Sequence, residues 1–229
     1  MCGRYSLICI DDMGSRFRVS NPSFGFRSHF NIAPGSTMPV IVRREQPEAV
    51  MMEWGLVPHW AQEKNGAKHL INARAETLAE KPSFRTLLNG RRCLVPASGF
   101  YEWKKEGRRK TPFYFRLRER PVFSFAGLYD VWHDPQGEGY ATYTIITTAP
   151  NSLMAPIHNR MPAILFPEDE TLWVSPDVLT PVTLKRILAP YPGSEMEAYP
   201  VSPLVNNPAN DDERFIVPVA GLLNGSSLL

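Results

Sequence analysis

Cys2 offers the widest chemistry of any residue in the sequence, because it directly follows the initiator methionine. A small side chain at position two permits removal of Met1, which would leave an α-amine and a thiol on one residue. Both groups are partly nucleophilic near neutrality, with reference pKa values of about 7.7–8.0 and about 8.5. Such an aminothiol can condense with an aldehyde to an imine and then a thiazolidine, or attack an amide as an N-terminal nucleophile. The alternative is a cysteine at position two by chance.

Glu102 lies between two aromatic residues, Tyr101 and Trp103, in a strand-like run. A carboxylate buried there would have a raised pKa, which suits general acid–base work. The alternative is a glutamate on an edge strand that pairs with the neighbouring lysines. Glu102 is therefore a candidate for proton transfer.

Two further motifs carry polar residues that can serve a reaction. His158 lies in PIHNRMP between two prolines, and a histidine can exchange protons near neutral pH. Asn72 and Arg74 flank Ala73 in LINARAET. An amide can orient an amine or a carbonyl, and a guanidinium can bind phosphate with two hydrogen bonds. The alternatives are a structural histidine, a helix cap for Asn72 and a surface ion pair for Arg74.

Neither a metal nor a cofactor is expected. The five histidines include no pair at i, i+4 spacing, and no CxxC occurs. The sequence also has no Walker A loop, no dinucleotide fingerprint and no GxSxG elbow. Three cysteines, an odd and low number, argue against a disulfide framework and fit a reducing compartment.

The composition is that of a folded chain, with 229 residues of which 43% are hydrophobic. No secretory leader is visible and no apolar run approaches the roughly 18 residues that span a membrane, so we expect a soluble cytoplasmic protein. A net charge of +2 does not by itself indicate nucleic acid. The segment 85–110, however, is strongly basic, and such a surface either follows a phosphate backbone or is the solvated face of a hairpin.

The elements that must position these residues are mostly strands. Alternating or β-branched and aromatic runs predict strands over 49–54, 112–118, 121–129 and 140–148, with a hairpin that turns near Gly107. The 22 prolines limit helices to short ones, over 76–88 with a break at Pro82, after a cap at Asn151, and from Thr180. We therefore predict an α+β, strand-dominated single domain over 1–220, built as a barrel or as packed antiparallel sheets with short peripheral helices. Residues 221–229 are predicted to form a flexible tail.

Eight motifs in a fixed order resemble the SRAP family, the SOS-response-associated peptidase or abasic-site-processing proteins. They are MCGRY at the start, FNIAPGS, WGLVPHW, INARAET, FYEWK, ITTAPN, IHNRMP and YPVSPLVN. The resemblance extends from residue 2 to about residue 206. Phe30 departs slightly from the commoner tyrosine of the second motif and retains its aromatic character.

The resemblance implies a function in the DNA damage (SOS) response. The processed Cys2 would capture the ring-opened aldehyde of an abasic site in single-stranded DNA as a thiazolidine crosslink, which shields the lesion from strand cleavage. By match to the family motifs, Asn72 would orient the α-amine and Glu102 would accept and donate protons. His158 would assist opening of the sugar ring and release of the crosslink.

The same resemblance implies a DNA-binding groove, a monomer and association with the nucleoid when the protein is bound to DNA. Arg4 and Arg74 match arginines of the family that contact the DNA backbone. Asn31, Trp60, Thr147 and Arg160 are further candidates for lining the groove. An abasic lesion has no base to recognise, so we expect salt-sensitive and largely sequence-independent affinity.

Two other functions share these residues. One is a thiol peptidase or autoprotease, a hydrolase with Cys2 as its nucleophile, and the other is a single-stranded DNA-binding protein without chemistry. The crosslinking hypothesis requires Asn72, Glu102 and His158 to converge near Cys2. It also requires loss of Met1, since the Met1–Cys2 amide would block the α-amine.

Overall fold

The structure is a computed structural model that describes residues 2–9, 13–21, 24–63 and 69–219. Its strands, in chain order, are β1 (Tyr5–Leu7), β2 (His29–Ile32), β3 (Thr37–Arg43), β4 (Pro47–Trp54), β5 (Asn72–Arg74), β6 (Arg92–Ala97), β7 (Gly99–Glu106), β8 (Arg109–Leu117), β9 (Phe123–His133), β10 (Gly139–Thr148), β11 (Met161–Pro162), β12 (Ile164–Leu165) and β13 (Met196–Pro200). The helices are α1 (Met13–Phe17), α2 (Pro82–Arg85), α3 (Pro167–Trp173) and α4 (Pro181–Ile187). The described residues are thus dominated by strands, as predicted.

Five strands close into a barrel in the order β4, β3, β6, β9 and β10. The ring is antiparallel except where β10 runs parallel to β4, with Tyr143 opposite Trp54. The short strand β5 continues this edge, also parallel to β10, with Asn72 opposite Ile145. Because β5 begins where β4 has ended, it delivers Asn72 to the end of the barrel at which β10 finishes.

A second sheet of five strands, called the outer sheet below, has the order β13, β8, β7, β1 and β2 and packs against the barrel. Tyr5 of β1 reaches into the barrel, where its hydroxyl lies 2.8 Å from that of Tyr143 and its ring packs at 5.3 Å from Trp54. Phe100 and Phe115 stack on the same side at 5.0 Å. The other face of this sheet is covered by the segment 201–219, which contributes part of a second apolar cluster comprising Tyr101, Tyr114, Val201, Val205 and Phe215.

The local signals in the sequence explain these elements. Residues 49–54, 112–118, 121–129 and 140–148 fall largely within β4, β8, β9 and β10, and the β7–β8 hairpin turns at Gly107, whose φ is +60°. Thr180 caps α4 by accepting the Thr183 N–H at 3.2 Å. Asn151 accepts the Met154 N–H at 2.9 Å, but the following residues form turns rather than the predicted helix, because Pro156 lies within the segment.

The fold class predicted from the sequence is confirmed. The predicted tail at 221–229 lies outside the described residues, and the single-domain organisation over 1–220 stays a prediction. Among the described residues, the structure has no helix that is both long and apolar enough to cross a membrane.

Candidate functional site

The site is built where the start of the chain meets the end of the barrel. The Asn72 amide donates a hydrogen bond of 2.8 Å from Nδ2 to the Cys2 carbonyl oxygen. Its Oδ1 is buried and has no hydrogen-bond partner among the residues that the structure describes. Asn72 therefore fixes the Cys2 main chain while retaining one acceptor.

Glu102 and His158 form the second half of the site. Glu102 is in β7, two residues after Phe100, and the two-residue period of a strand directs both buried side chains to the same face of the sheet. Its Oε1 lies 3.7 Å from His158 Nδ1. His158 follows β10, and its N–H donates to the Met154 carbonyl at 3.0 Å, which ends the turn that begins at Asn151.

Burial controls the protonation of this group. It raises the pKa of the Cys2 thiol strongly, and the negative charge of Glu102 raises this pKa further. Burial likewise raises the pKa of Glu102, and the charge of His158 acts in the opposite direction. The thiol of Cys2 is fully buried and lies 3.9 Å from the Arg4 carbonyl, so it is held as a neutral donor.

The structure thus brings together all four residues that the sequence marks as catalytic. Asn72 binds Cys2, Glu102 acts on the Cys2 thiol through its charge, and His158 pairs with Glu102. The arrangement combines a buried thiol with a carboxylate whose charge acts on it and with an imidazole that pairs with this carboxylate. Their catalytic roles stay predictions.

Arg4 and Asn31, predicted to bind DNA, lie behind the site and bind protein groups. Arg4 is buried, and its Nη1 donates to Asn31 Oδ1 at 2.7 Å and to the Val205 carbonyl at 2.8 Å. The Asn31 amide nitrogen lies within 3.3 Å of the carbonyls of Val205, Asn207 and Asn210. These contacts connect β1 and β2 with the C-terminal segment.

Thr147 and Arg160 lie beside the site and bind each other. Arg160 Nη2 donates to the Thr147 carbonyl at 2.5 Å, and both terminal nitrogens of Arg160 bind the Glu76 carboxylate. The sequence analysis does not single out Glu76, which belongs to the INARAET motif but lies two residues beyond the end of β5. Only the position of a glutamate after Arg74 could have signalled it.

Arg74 and Trp60 are the two predicted DNA contacts that face solvent. Arg74 is the last residue of β5 and is exposed. Trp60 is 59% exposed on a turn where His59 binds Asp130 through its N–H and its Nδ1. Asp130 pairs with Thr142, five residues before Thr147 along β10, so this turn is displaced from Cys2 along the barrel.

The basic stretch 85–110 does not form one surface. Arg92 is buried and donates to main-chain carbonyls, including that of Trp173 at 2.5 Å, and Arg91 pairs with Asp130. Arg85 is exposed at the end of α2, and a separate group of exposed cations lies at the β7–β8 hairpin, where Lys104 pairs with Glu106 at 2.6 Å. Within the described residues, no group of three or more His, Cys, Asp or Glu side chains is arranged to hold a metal ion.

A family model described as SOS response associated peptidase (SRAP) matches residues 1–208. The chain belongs to the SRAP family. The match includes Cys2, Asn72, Glu102 and His158, so the site lies entirely within the region shared with the family.

Relatives of this SRAP protein carry a consistent name. Abasic site processing protein YoqW of Bacillus subtilis (strain 168) is 42% identical over 221 residues, which cover 94% of this chain and 99% of YoqW. Abasic site processing protein HMCES of Gallus gallus is 34% identical, over 85% of this chain and 67% of HMCES. A crystal structure of a protein from Bacteroides thetaiotaomicron has a TM-score of 0.83 at 32% identity and covers 95% of this chain and 100% of that one.

Proposed function

We propose that this SRAP protein processes abasic sites in single-stranded DNA by covalent capture through Cys2. The observation that carries the proposal is the group around Cys2, in which Asn72 holds its carbonyl and Glu102, paired with His158, raises the pKa of its thiol through its charge. Relatives at up to 42% identity are named abasic site processing proteins, which supports this substrate.

The proposed reaction begins after hydrolysis of the Met1–Cys2 peptide bond has freed the α-amine. The amine attacks the carbon of the ring-opened aldehyde, and loss of water gives an imine. The Cys2 sulfur then adds to the imine carbon, its proton passes to nitrogen, and a five-membered thiazolidine closes. The net reaction joins aldehyde and aminothiol with release of one water, and nothing is oxidised or reduced.

Three side chains have distinct roles in this scheme. The Asn72 amide restrains the Cys2 main chain, so that the amine approaches the aldehyde from one direction. Glu102 accepts the proton of the attacking amine and returns it to the departing hydroxyl, for which a raised pKa is suited. His158 exchanges protons with Glu102 and assists opening of the sugar.

Recognition of the DNA rests on backbone contacts, because an abasic site offers no base to read. Arg74 and Trp60 are the exposed candidates, one for phosphate and one for stacking. We propose that the protein acts as a monomer in the cytoplasm, on the nucleoid when bound, in the response to DNA damage.

The test is a denaturing gel of processed protein mixed with single-stranded DNA that carries one abasic site. We expect a shifted band that the Cys2→Ala variant does not form. Cys2→Ser keeps the α-amine and can form the imine, but it lacks the thiol that closes the thiazolidine. It should therefore give a band only when a reductant traps the imine. A chain that retains a residue before Cys2 should give none. An undiminished band with Cys2→Ala would refute covalent capture by this residue.

Thiol hydrolysis of an amide is the second candidate, supported by the family description as a peptidase. Hydrolysis requires the Cys2 thiolate. Burial raises the pKa of the Cys2 thiol and so keeps the fraction of thiolate small. The amine-first reaction does not have this requirement. Release of a peptide product that depends on Cys2, without crosslinking of abasic DNA, would favour hydrolysis. Equal binding of abasic and intact strands without a covalent product would instead favour a simple DNA-binding protein.

A further inference from the structure

The Arg160 guanidinium lies beside the site, where the Glu76 carboxylate and the Thr147 carbonyl both bind it. Its Nη1 donates to Glu76 Oε1 at 2.6 Å, and its Nη2 donates to Glu76 Oε2 at 2.9 Å and to the Thr147 carbonyl at 2.5 Å. The Arg160 side chain is 13% exposed, whereas that of Glu76 is 52% exposed. A carboxylate at the edge of the site thus fixes a largely buried cation with the two parallel bonds that give the strongest geometric restraint.

The main chain of Arg160 transmits this restraint to the imidazole of His158. The Arg160 N–H lies 3.1 Å from His158 Nδ1, and the same ring nitrogen lies 3.7 Å from Glu102 Oε1. Only Asn159 separates the two residues along the chain. A shift of the Arg160 main chain therefore moves the partner of the imidazole and changes its approach to Glu102.

We infer that Glu76 is a positioning residue, which holds His158 beside Glu102 by fixing Arg160. The inference rests on the proposed function for its catalytic consequence, but its structural content does not depend on it. Arg160 Nε is already buried without a hydrogen-bond partner among the described residues. Loss of the Glu76 carboxylate would add further unsatisfied donors, so the guanidinium would leave its place to reach solvent and would displace the 158–160 loop.

The inference is tested with Glu76→Gln and Glu76→Ala, and with Glu197→Gln as a matched control. Glu197 also pairs with arginines, Arg116 and Arg118, but on the surface of the outer sheet. We expect single-turnover crosslinking by both Glu76 variants to slow by about ten-fold or more, since small displacements of reacting groups have effects of this size. DNA affinity should be unchanged, and Glu76→Asp, which keeps the carboxylate, should recover part of the rate. Glu197→Gln should behave as the wild type.

A second measurement separates positioning from a general loss of structure. The carboxyl carbon of Glu102 is followed by NMR against pH. The His158 charge holds the pKa of Glu102 down against the effect of burial, so withdrawal of the imidazole should raise this pKa further in the Glu76 variants and move the acidic limb of the crosslinking rate to higher pH. The Cys2 thiol, whose pKa the Glu102 charge raises, and the α-amine of the processed chain are unchanged in all variants.

The two proposals can fail separately. If the wild type forms no crosslink, the proposed function fails, and the Glu102 titration still decides whether Glu76 positions His158. If the Glu102 titration is the same in wild type and both Glu76 variants, the inference is overturned. A Glu76 variant that binds and crosslinks DNA better would also overturn it, because the carboxylate would then be a competitor of phosphate for Arg160.

Discussion

The thiol and the main-chain nitrogen of Cys2 lie in different environments. Its thiol is fully buried, and both this burial and the negative charge of Glu102 favour the protonated form. The adjoining main-chain nitrogen belongs to a residue whose carbonyl is fixed by Asn72. At the scale of single residues, the site is therefore suited to attack by the amine first and closure by the sulfur afterwards.

Ionised Glu102 is expected to reduce the stability of the fold, because its burial disfavours the charged form. Burial raises its pKa, so the folded protein holds this proton more tightly than the unfolded chain does. Stability contributed by such a group is greatest below its ordinary pKa and is lost as the pH rises through the raised value. Glu102→Gln cannot ionise and should unfold at a higher temperature than the wild type at pH 7–8, by about 2–4 °C for each kcal/mol recovered.

The same variant should lose crosslinking, because an amide accepts no proton. Thermal unfolding at pH 5 and pH 8, together with the gel assay, measures both effects. The advantage of Glu102→Gln should shrink at the lower pH. A variant that is less stable than the wild type at pH 8 would show that the ionised carboxylate and His158 stabilise the fold, contrary to this account.

At the scale of elements, β7 determines where Glu102 lies, and two glycines control β7. Gly99 begins the strand, and a Cβ added there would lie 2.2 Å from the ring of Tyr114, which is buried and shares a hydrogen bond of 2.8 Å with Ser6. Gly107 ends the strand at the hairpin, where no atom lies within 4 Å of an added Cβ but φ is +60°. One glycine is required by packing and the other by backbone conformation.

This difference predicts unequal effects of alanine at the two positions. Gly99→Ala must displace the Tyr114 ring and should lower the free energy of unfolding by about 2–3 kcal/mol, as overpacked cores do. Gly107→Ala meets only the penalty of a left-handed backbone, about 1 kcal/mol. Denaturant titrations of both variants measure the two values. A Gly99→Ala protein no less stable than Gly107→Ala would contradict the close approach of Tyr114 to β7.

Much of this architecture could be predicted from the sequence, for identifiable reasons. Period-two alternation, which predicts β4 and β8, and β-branched or aromatic runs, which predict β9 and β10, are properties of the local sequence. Closure of the barrel could not be predicted from local sequence, because it depends on the parallel pairing of Trp54 with Tyr143, which are far apart in the chain. The four site residues were found through motif order, whereas Glu76 was missed because a glutamate near an arginine is typical of any exposed turn.

At the scale of the whole molecule, Arg4 and Asn31 connect the start of the chain to its C-terminal segment. Both residues are polar and could be interpreted as DNA contacts from sequence alone. Their side chains are buried, and the Arg4 guanidinium donates to Asn31 and to the Val205 carbonyl, while DNA binding by these residues stays a prediction. The covering of the outer sheet by residues 201–219 therefore depends on these hydrogen bonds as well as on the apolar cluster that includes Val205 and Phe215.

Asn31→Ala and Arg74→Ala distinguish a residue that stabilises the fold from a residue that contacts DNA. Asn31→Ala removes one of the two acceptors of the Arg4 guanidinium and a donor to the carbonyls of Val205, Asn207 and Asn210, so we expect the free energy of unfolding to fall by about 2 kcal/mol. Hydrogen exchange should accelerate in 201–219, and the salt dependence of DNA binding should be unchanged. Arg74 is exposed, so Arg74→Ala should leave stability unchanged, weaken DNA binding and reduce the slope of log affinity against log salt by about one. Asn31→Ala with full stability and weakened DNA binding would mean that Asn31 contacts the strand directly, and the C-terminal segment would then need other restraints to stay on the outer sheet.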